Sequence, residues 1–95
     1  MLFRSLHGEI DHHCAKQYIQ SIASKIEAYV PDLCVLDFQE VTFVDSSGIA
    51  VVINALRNMS QIEGRLMLSG INDQPMRVFR ASGIDKIVEI KEAVS

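Results

Sequence analysis

The stretch Leu33-Cys34-Val35-Leu36-Asp37-Phe38 decides the fold class of this 95-residue chain. It is almost continuously apolar, and Pro31-Asp32 precedes it as a turn signal. A short run of this kind is typical of a strand buried on both faces of a parallel sheet. Similar but shorter runs lie at Leu66-Met67-Leu68 and Ile87-Val88-Glu89-Ile90, and Leu2 to His7 suits an opening strand. The sequence therefore predicts four strands.

Helical patterns separate these strands. Apolar residues in the first pattern recur at three-and-four spacing, which places them on one stripe of a helix. Capping residues and prolines mark where each helix should begin and end. The three predicted helices are Cys14 to Tyr29 after an N-cap at Asp11, about Ser47 to Glu63 before Gly64 as the C′ residue, and Pro75 to Ala81 between a cap at Asn72 or Asp73 and an exit at Ser82-Gly83.

Strands and helices alternate along the whole chain. This order predicts the α/β class, with right-handed crossovers and a mostly parallel four-stranded sheet in one domain over residues 1–95. We expect the core to include Ile22, Ile26, Leu36, Val52, Ile53 and Leu56.

Charge and hydropathy exclude several classes of protein. The net charge is -3 and the Lys and Arg residues are scattered, so no basic run predicts a nucleic-acid partner. The apolar stretch Ile49 to Ile53 is too short for a membrane span, and Met1 to Ile10 lacks the apolar region of a secretory signal. We therefore expect a cytoplasmic protein without a membrane partner, in which Cys14 and Cys34 remain reduced.

The segment Val41-Thr42-Phe43-Val44-Asp45-Ser46-Ser47-Gly48-Ile49 is the most informative for function. Small polar residues and a glycine interrupt an apolar sequence where the second helix should begin. The first N–H groups of a helix lack partners within the helix, so Asp45 or Ser46 can cap them and an anion can be held there. The same residues also suit an ordinary capped helix with no further role.

Three regions together resemble the STAS family of bacterial anti-sigma factor antagonists. They are Gly8-Glu9-Ile10-Asp11-His12-His13, then Leu36-Asp37-Phe38 with Val41 to Gly48, and finally Phe79-Arg80-Ala81-Ser82-Gly83. Their order and spacing match the family over about positions 6 to 90. Each region alone is a weak signal, whereas the combination is fairly specific.

The resemblance implies a phosphorylation switch at Ser47, with Asp11 close to it. The unmodified chain would bind an anti-sigma factor serine kinase and so release a sigma factor; phosphorylation would stop binding, and a phosphatase would restore it. The predicted switch and partner-binding residues are Asp11, His12, His13, Asp45, Ser46, Ser47 and Gly48. Capping geometry also favours Ser47, since we expect the Ser46 hydroxyl to bond backbone N–H groups while Ser47 faces outward. No cofactor is implied.

One departure from the family concerns the first strand of its sheet. The family begins with an additional strand, and we expect it to be missing here because only Met1 precedes the first predicted strand. We therefore expect an open sheet edge that can pair with a second copy to form a homodimer.

Three alternatives to this switch can be weighed. A serine hydrolase would use Ser46 or Ser47, but a nucleophile elbow needs glycines two positions before and after the serine, where Asp45 and Ile49 flank Ser47. A metal site at His12-His13-Cys14 is disfavoured because neighbouring residues at a helix start point in different directions. We therefore expect neither an enzyme nor a metal site. A STAS scaffold or adaptor in a stress-signalling or lipid-transport assembly would have the same fold, and recognition of the serine by a kinase distinguishes it.

Overall fold

The computed structural model describes residues 1–91, so the last four residues of the predicted domain lie outside the described part. Strands and helices alternate as predicted. Their bounds are β1 Leu2–Ile10, α1 His12–Tyr29, β2 Leu33–Val44, α2 Ser46–Gln61, β3 Arg65–Ser69, α3 Asp73–Ser82, α4 Ile84–Ile87 and β4 Glu89–Lys91. Within residues 1–91, the helices are too short or too polar to cross a membrane.

The four strands form one parallel sheet in the order β1-β2-β3-β4. Right-handed crossovers that all step in the same direction place the connecting helices on one face. Leu36 and Phe38 of β2 are fully buried beneath these helices. On the opposite face, Leu33 is half-buried and Phe3 of β1 is 54% exposed. The α/β class and the parallel sheet are confirmed, whereas the expected burial of β2 on both faces holds only in part, since on the open face Val35 is buried but Leu33 is half-buried.

The core fills the space between the sheet and its helices. At its centre the rings of Phe38 and Phe79 meet edge to face, with centroids 5.4 Å apart. Four of the six predicted core residues are buried, namely Ile22, Ile26, Leu36 and Val52.

The other two predicted core residues are less buried than expected. Leu56 is half-buried at the margin of the core, and Ile53 is 36% exposed, so its placement in the core is wrong. The buried stripe of α2 runs through Val51, Val52, Ala55 and Met59 instead. Because Ile49 to Ile53 is apolar on nearly every side, the sequence pattern alone could not fix the rotation of α2 about its axis.

Several predicted boundaries differ from the observed ones. The first helix begins at His12, directly after its cap, and a fourth helix of one turn, α4, precedes the short last strand. The left-handed residue after α2 is Glu63, with φ of 58°, so Gly64 is not the C′ residue. Gly64 has a packing role instead, because a Cβ there would lie 2.5 Å from Cε of Met59.

Strand β2 is longer than expected because it is bulged. The paired segment Leu2 to Ile10 of β1 faces Cys34 to Val44 of β2, which contains two more residues, and the register shifts at two points to accommodate them. At the first shift, the Asp37 side chain accepts a hydrogen bond from the Gln39 N–H (3.1 Å). Bulges bend a strand and re-aim its end. The segment that we expected to be a loop, Val41 to Val44, is therefore the end of β2.

Candidate functional site: two helix starts beside paired strand ends

The site lies where β1 and β2 end side by side. Ile10 pairs with Val44, and the Asp45 N–H donates a hydrogen bond to the Ile10 carbonyl (3.4 Å). Asp11 and Asp45 follow these paired residues, so the starts of α1 and α2 are neighbours. The structure thus places the first loop next to the serine-containing segment, as the resemblance implied. We call the residues Asp11 to His13 and Asp45 to Gly48 the switch surface.

Each helix of the switch surface is capped by an aspartate. The Asp11 side chain accepts from the His13 N–H (2.9 Å), and the Asp45 side chain accepts from the Ser47 N–H (2.8 Å). The predicted cap of α1, Asp11, is confirmed. For α2 we predicted Asp45 or Ser46, and the structure has Asp45 as the cap. The backbone hydrogen bond from His13 holds the pKa of Asp11 below its usual value, with smaller contributions from the nearby histidines. Asp11 therefore carries its charge at neutral pH.

Gly48 allows α2 to lie close to the strand ends. A Cβ at this position would be 2.8 Å from Cβ of Val44 and 3.4 Å from the Ile10 carbonyl oxygen. Any larger residue would push the first turn of α2 away from both strands. The glycine is therefore a packing requirement of the switch surface.

The two serines differ in exposure. Ser46 is exposed and Ser47 is half-buried. Within residues 1–91 neither hydroxyl makes a hydrogen bond, so the expected capping role of the Ser46 hydroxyl is wrong. Exposure favours Ser46 over Ser47, contrary to the geometric argument made from the sequence. The prediction that Ser47 is the phosphorylated serine thus depends on its position in the Asp45-Ser46-Ser47-Gly48 segment that resembles the STAS family.

The histidines of the first loop lie on the outside of the switch surface. His12 and His13 are exposed, and their ring centroids are 4.0 Å apart. We expected neighbouring side chains here to point in different directions, whereas these two rings lie together. Cys14 turns inward and its thiol donates to the Glu9 carbonyl (3.1 Å). In the described part of the chain, no three side chains of the His, Cys, Asp and Glu types converge as metal ligands would.

Two amide side chains at the start of α3 contact β2 in a way that the sequence did not predict. β3 ends at Ser69 whereas β2 continues to Val44, which leaves the far end of β2 without a neighbouring strand on that side. Gln74 fills the gap: its Oε1 accepts from the Val44 N–H (2.9 Å) and its Nε2 donates to the Val44 carbonyl (3.0 Å). Asn72 donates to the carbonyls of Gln39 (3.0 Å) and Val41 (2.9 Å) rather than capping α3 with its side chain. These contacts hold the backbone directly before Asp45.

Comparison with known proteins identifies the family. The profile of the STAS domain matches residues 2–95. The chain belongs to the STAS domain family. It is 34% identical over 87 residues to the anti-sigma-B factor antagonist of Listeria monocytogenes, covering 88% of this chain and 73% of that protein.

Solved structures of STAS domains agree with this assignment. The unphosphorylated anti-sigma factor antagonist SpoIIAA matches with a TM-score of 0.85 and 26% identity, covering 99% of this chain and 82% of that chain. The phosphorylated form of SpoIIAA from Bacillus matches with a TM-score of 0.74 and 27% identity, covering 96% of this chain and 80% of that chain. The STAS fold is therefore confirmed, and the relatives support the general regulatory role expected from the sequence.

Proposed function

We propose that this STAS domain is a cytoplasmic anti-sigma factor antagonist that acts by binding and catalyses no reaction itself. Its unmodified form binds an anti-sigma factor that is also a serine kinase, and this binding releases a sigma factor. Transfer of a phosphoryl group from ATP to the Ser47 hydroxyl stops the binding, and a phosphatase restores it. The observation that carries the proposal is the position of Ser47 in the first turn of α2, at an aspartate-capped helix start that lies beside the aspartate-capped start of α1. The names of the relatives, and a relative known in phosphorylated and unphosphorylated forms, support it.

The contacts around Ser47 explain why a phosphate there would stay exposed to a partner. The Ser47 N–H already bonds the Asp45 side chain, and the N–H groups of Gly48 and Ile49 bond the Asp45 carbonyl (3.0 and 3.3 Å). Within the described residues this leaves Ser46 as the nearby N–H without a partner. The start of α2 therefore has few free donors with which to neutralise a new anion.

Negative charge already present on the switch surface increases the effect of a phosphate on partner binding. Asp45 is in direct contact with the Ser47 backbone, and Asp11 follows the neighbouring strand. A phosphate adds about -1.5 to -2 charges to this acidic surface, while the helix dipole offsets it by only about 0.3–1 kcal/mol. Two unpaired interface charges that cost about 1.4 kcal/mol each would weaken binding about 100-fold. The block is thus electrostatic and needs no backbone movement.

An exposed apolar residue of α2 provides contact area for the partner. Ile53 follows Ser46 by seven residues, so it lies on the same side of α2, and Phe43 at the end of β2 is 38% exposed. Exposed apolar side chains beside a charged switch are the composition expected of a regulated interface. We therefore include Ile53 in the proposed binding surface, but not Phe43, because Phe43 points to the sheet face opposite that of its buried neighbour Val44.

The proposal is tested by phosphorylation with an anti-sigma factor kinase and ATP, followed by mass spectrometry of the wild type and two matched variants. Ser47→Ala should remain unmodified and still bind the kinase, whereas Ser46→Ala should be phosphorylated like the wild type. Ser46 is the more exposed serine. The two variants therefore show whether exposure or position in the Asp45-Ser46-Ser47-Gly48 segment determines which serine is phosphorylated. Phosphate on Ser46, or loss of binding in unmodified Ser47→Ala, would contradict the proposal.

A further inference from the structure

The segment from Gly70 to Gln74 runs beside the far end of β2, in the place of a neighbouring strand. β3 pairs with β2 only as far as Ser69, which lies opposite Asp37. At Gly70 the backbone has a φ of 67°, and a Cβ there would lie 2.9 Å from Oδ1 of Asp37 and 3.2 Å from Cβ of Gln39. The glycine therefore lets the chain leave β3 close alongside β2 and brings the start of α3 to the end of that strand.

The peptide group that joins Val44 to Asp45 is held from two sides. Its carbonyl accepts a hydrogen bond from Nε2 of Gln74 (3.0 Å), and its N–H donates to the Ile10 carbonyl (3.4 Å). Oε1 of Gln74 also accepts from the Val44 N–H (2.9 Å), so this one side chain fixes the peptide groups before and after Val44. Because the bond to Ile10 is longer than a usual backbone hydrogen bond, Gln74 is the stronger restraint.

The orientation of this peptide group determines where Ser47 lies. The side chain of Asp45 accepts from the Ser47 N–H (2.8 Å), and its carbonyl accepts from the N–H groups of Gly48 (3.0 Å) and Ile49 (3.3 Å). The first turn of α2 is thus built on Asp45. Gln74 acts on Ser47 through this single residue.

α3 gives Gln74 a fixed base. Pro75, the next residue, is buried, and the ring of Phe79 packs edge to face against Phe38 of β2, with centroids 5.4 Å apart. The helix is therefore attached to the same strand whose end Gln74 holds. Its amide supports Val44 from a fixed position.

We propose that Gln74 is a positioning residue for the phosphorylation of Ser47, an inference that rests on the proposed function. In that reaction the Ser47 oxygen forms a bond to the γ-phosphorus of ATP, the bond from that phosphorus to ADP breaks, and the hydroxyl proton passes to a base of the kinase. The reacting atoms must lie about 3–3.5 Å apart, and a displacement of about 1 Å can lower the rate about 100-fold. By fixing the peptide group before Asp45, Gln74 keeps the Ser47 hydroxyl in one position relative to the kinase.

Steady-state phosphorylation by an anti-sigma factor kinase and ATP tests this role, with kcat and KM measured well below the Tm. Gln74→Ala should lower kcat by about tenfold or more and change the KM for this protein by less than about twofold, because the contact surface is unaltered. Loss of stability alone has the opposite effect, since an unfolded fraction raises KM and leaves kcat unchanged. Ile26→Val makes a small cavity near the far end of α1, and as the control it should keep the wild-type kcat.

Gln74→Glu separates positioning from stability. The carboxylate still accepts from the Val44 N–H but cannot donate to the Val44 carbonyl, and a negative charge in the first turn of α3 is favoured by the helix dipole. This variant should therefore lose less stability than Gln74→Ala and yet show a similar fall in kcat. A kcat that follows stability across the variants, or a wild-type kcat in both, would overturn the inference alone. Wild-type protein without phosphate on Ser47 would overturn the proposed function, and this inference with it.

Amide hydrogen exchange examines the same restraint without a kinase. In Gln74→Ala the amides of Gly48 and Ile49 should exchange about tenfold faster relative to the Val52 amide further along α2, because only the first turn is loosened. Global destabilisation would instead raise the exchange of all three amides together. Unchanged exchange of Gly48 and Ile49 relative to Val52 would contradict the inference even where the kinase phosphorylates Ser47 normally.

Discussion

The Gln74 side chain makes the two hydrogen bonds that a neighbouring strand would otherwise make to Val44. Val44 is 1% exposed and directly precedes the Asp45 cap. Gln74→Ala removes both bonds and leaves an N–H and a carbonyl of a buried residue without partners. We expect this change to destabilise the protein and to loosen the start of α2.

The magnitude follows from the two lost contacts. A hydrogen bond contributes about 1 kcal/mol net, and a buried group left unpaired costs about 1–3 kcal/mol. Gln74 is half-buried, so water can reach the vacated site and the lower end applies. The free energy of unfolding should fall by about 2 kcal/mol, which in a domain of this size lowers the Tm by about 10 °C. Helix propensity cannot account for the loss, because alanine is at least as favourable as glutamine in a helix.

Urea denaturation followed by circular dichroism measures the change. Arg77→Ala is the matched control, since Arg77 is exposed in the same helix and should change stability by less than about 0.5 kcal/mol. If Gln74→Ala were as stable as Arg77→Ala, the amide contacts with Val44 would not be supporting the end of β2.

Three other predictions concern stability and pH. Gly48→Ala places a Cβ 2.8 Å from that of Val44, and an overpacking cost of about 1–3 kcal/mol should exceed the gain of about 1 kcal/mol in helix propensity; a raised midpoint of urea unfolding would contradict this. Ile53→Asp should keep the Tm within a few degrees yet weaken partner binding, whereas Val52→Asp should unfold the domain; similar melting curves for the two would show that the rotation of α2 is wrong. Burial raises the pKa of the Cys34 thiol from 9.0 to about 11, so the folded state holds this proton more tightly than the unfolded state. Its contribution to stability is complete below about pH 9 and is lost as the pH rises towards 11; Cys34→Ala should lack this part of the pH dependence of unfolding.

Local signals with a single physical cause could be interpreted from the sequence. Asp11 and Asp45 cap their helices because a short carboxylate side chain reaches the orphan N–H groups wherever a strand leads directly into a helix. The alternation of strands and helices fixed the parallel topology, because crossovers have one hand. These signals account for the capped starts of α1 and α2 and for the parallel sheet that brings them side by side.

Features that depend on three-dimensional context could not be predicted. Ile53 lies on the exposed side of α2, and the sequence could not show this because the run Ile49 to Ile53 is apolar on nearly every side of the helix. The bulges of β2 follow from a mismatch in length with β1, which only the pairing reveals. Gln74 satisfies a backbone segment 30 residues away, and its only sequence signal is an amide residue in the first turn of a helix.

The measurement that tests the central claim most directly is the affinity of the anti-sigma factor for two forms of this protein. Calorimetric titration would compare the unmodified chain with the chain carrying phosphate on Ser47, and circular dichroism would check that both are folded. We predict that phosphate on Ser47 weakens binding about 100-fold or more while the fold is retained. Equal affinities of the two folded forms would contradict the account.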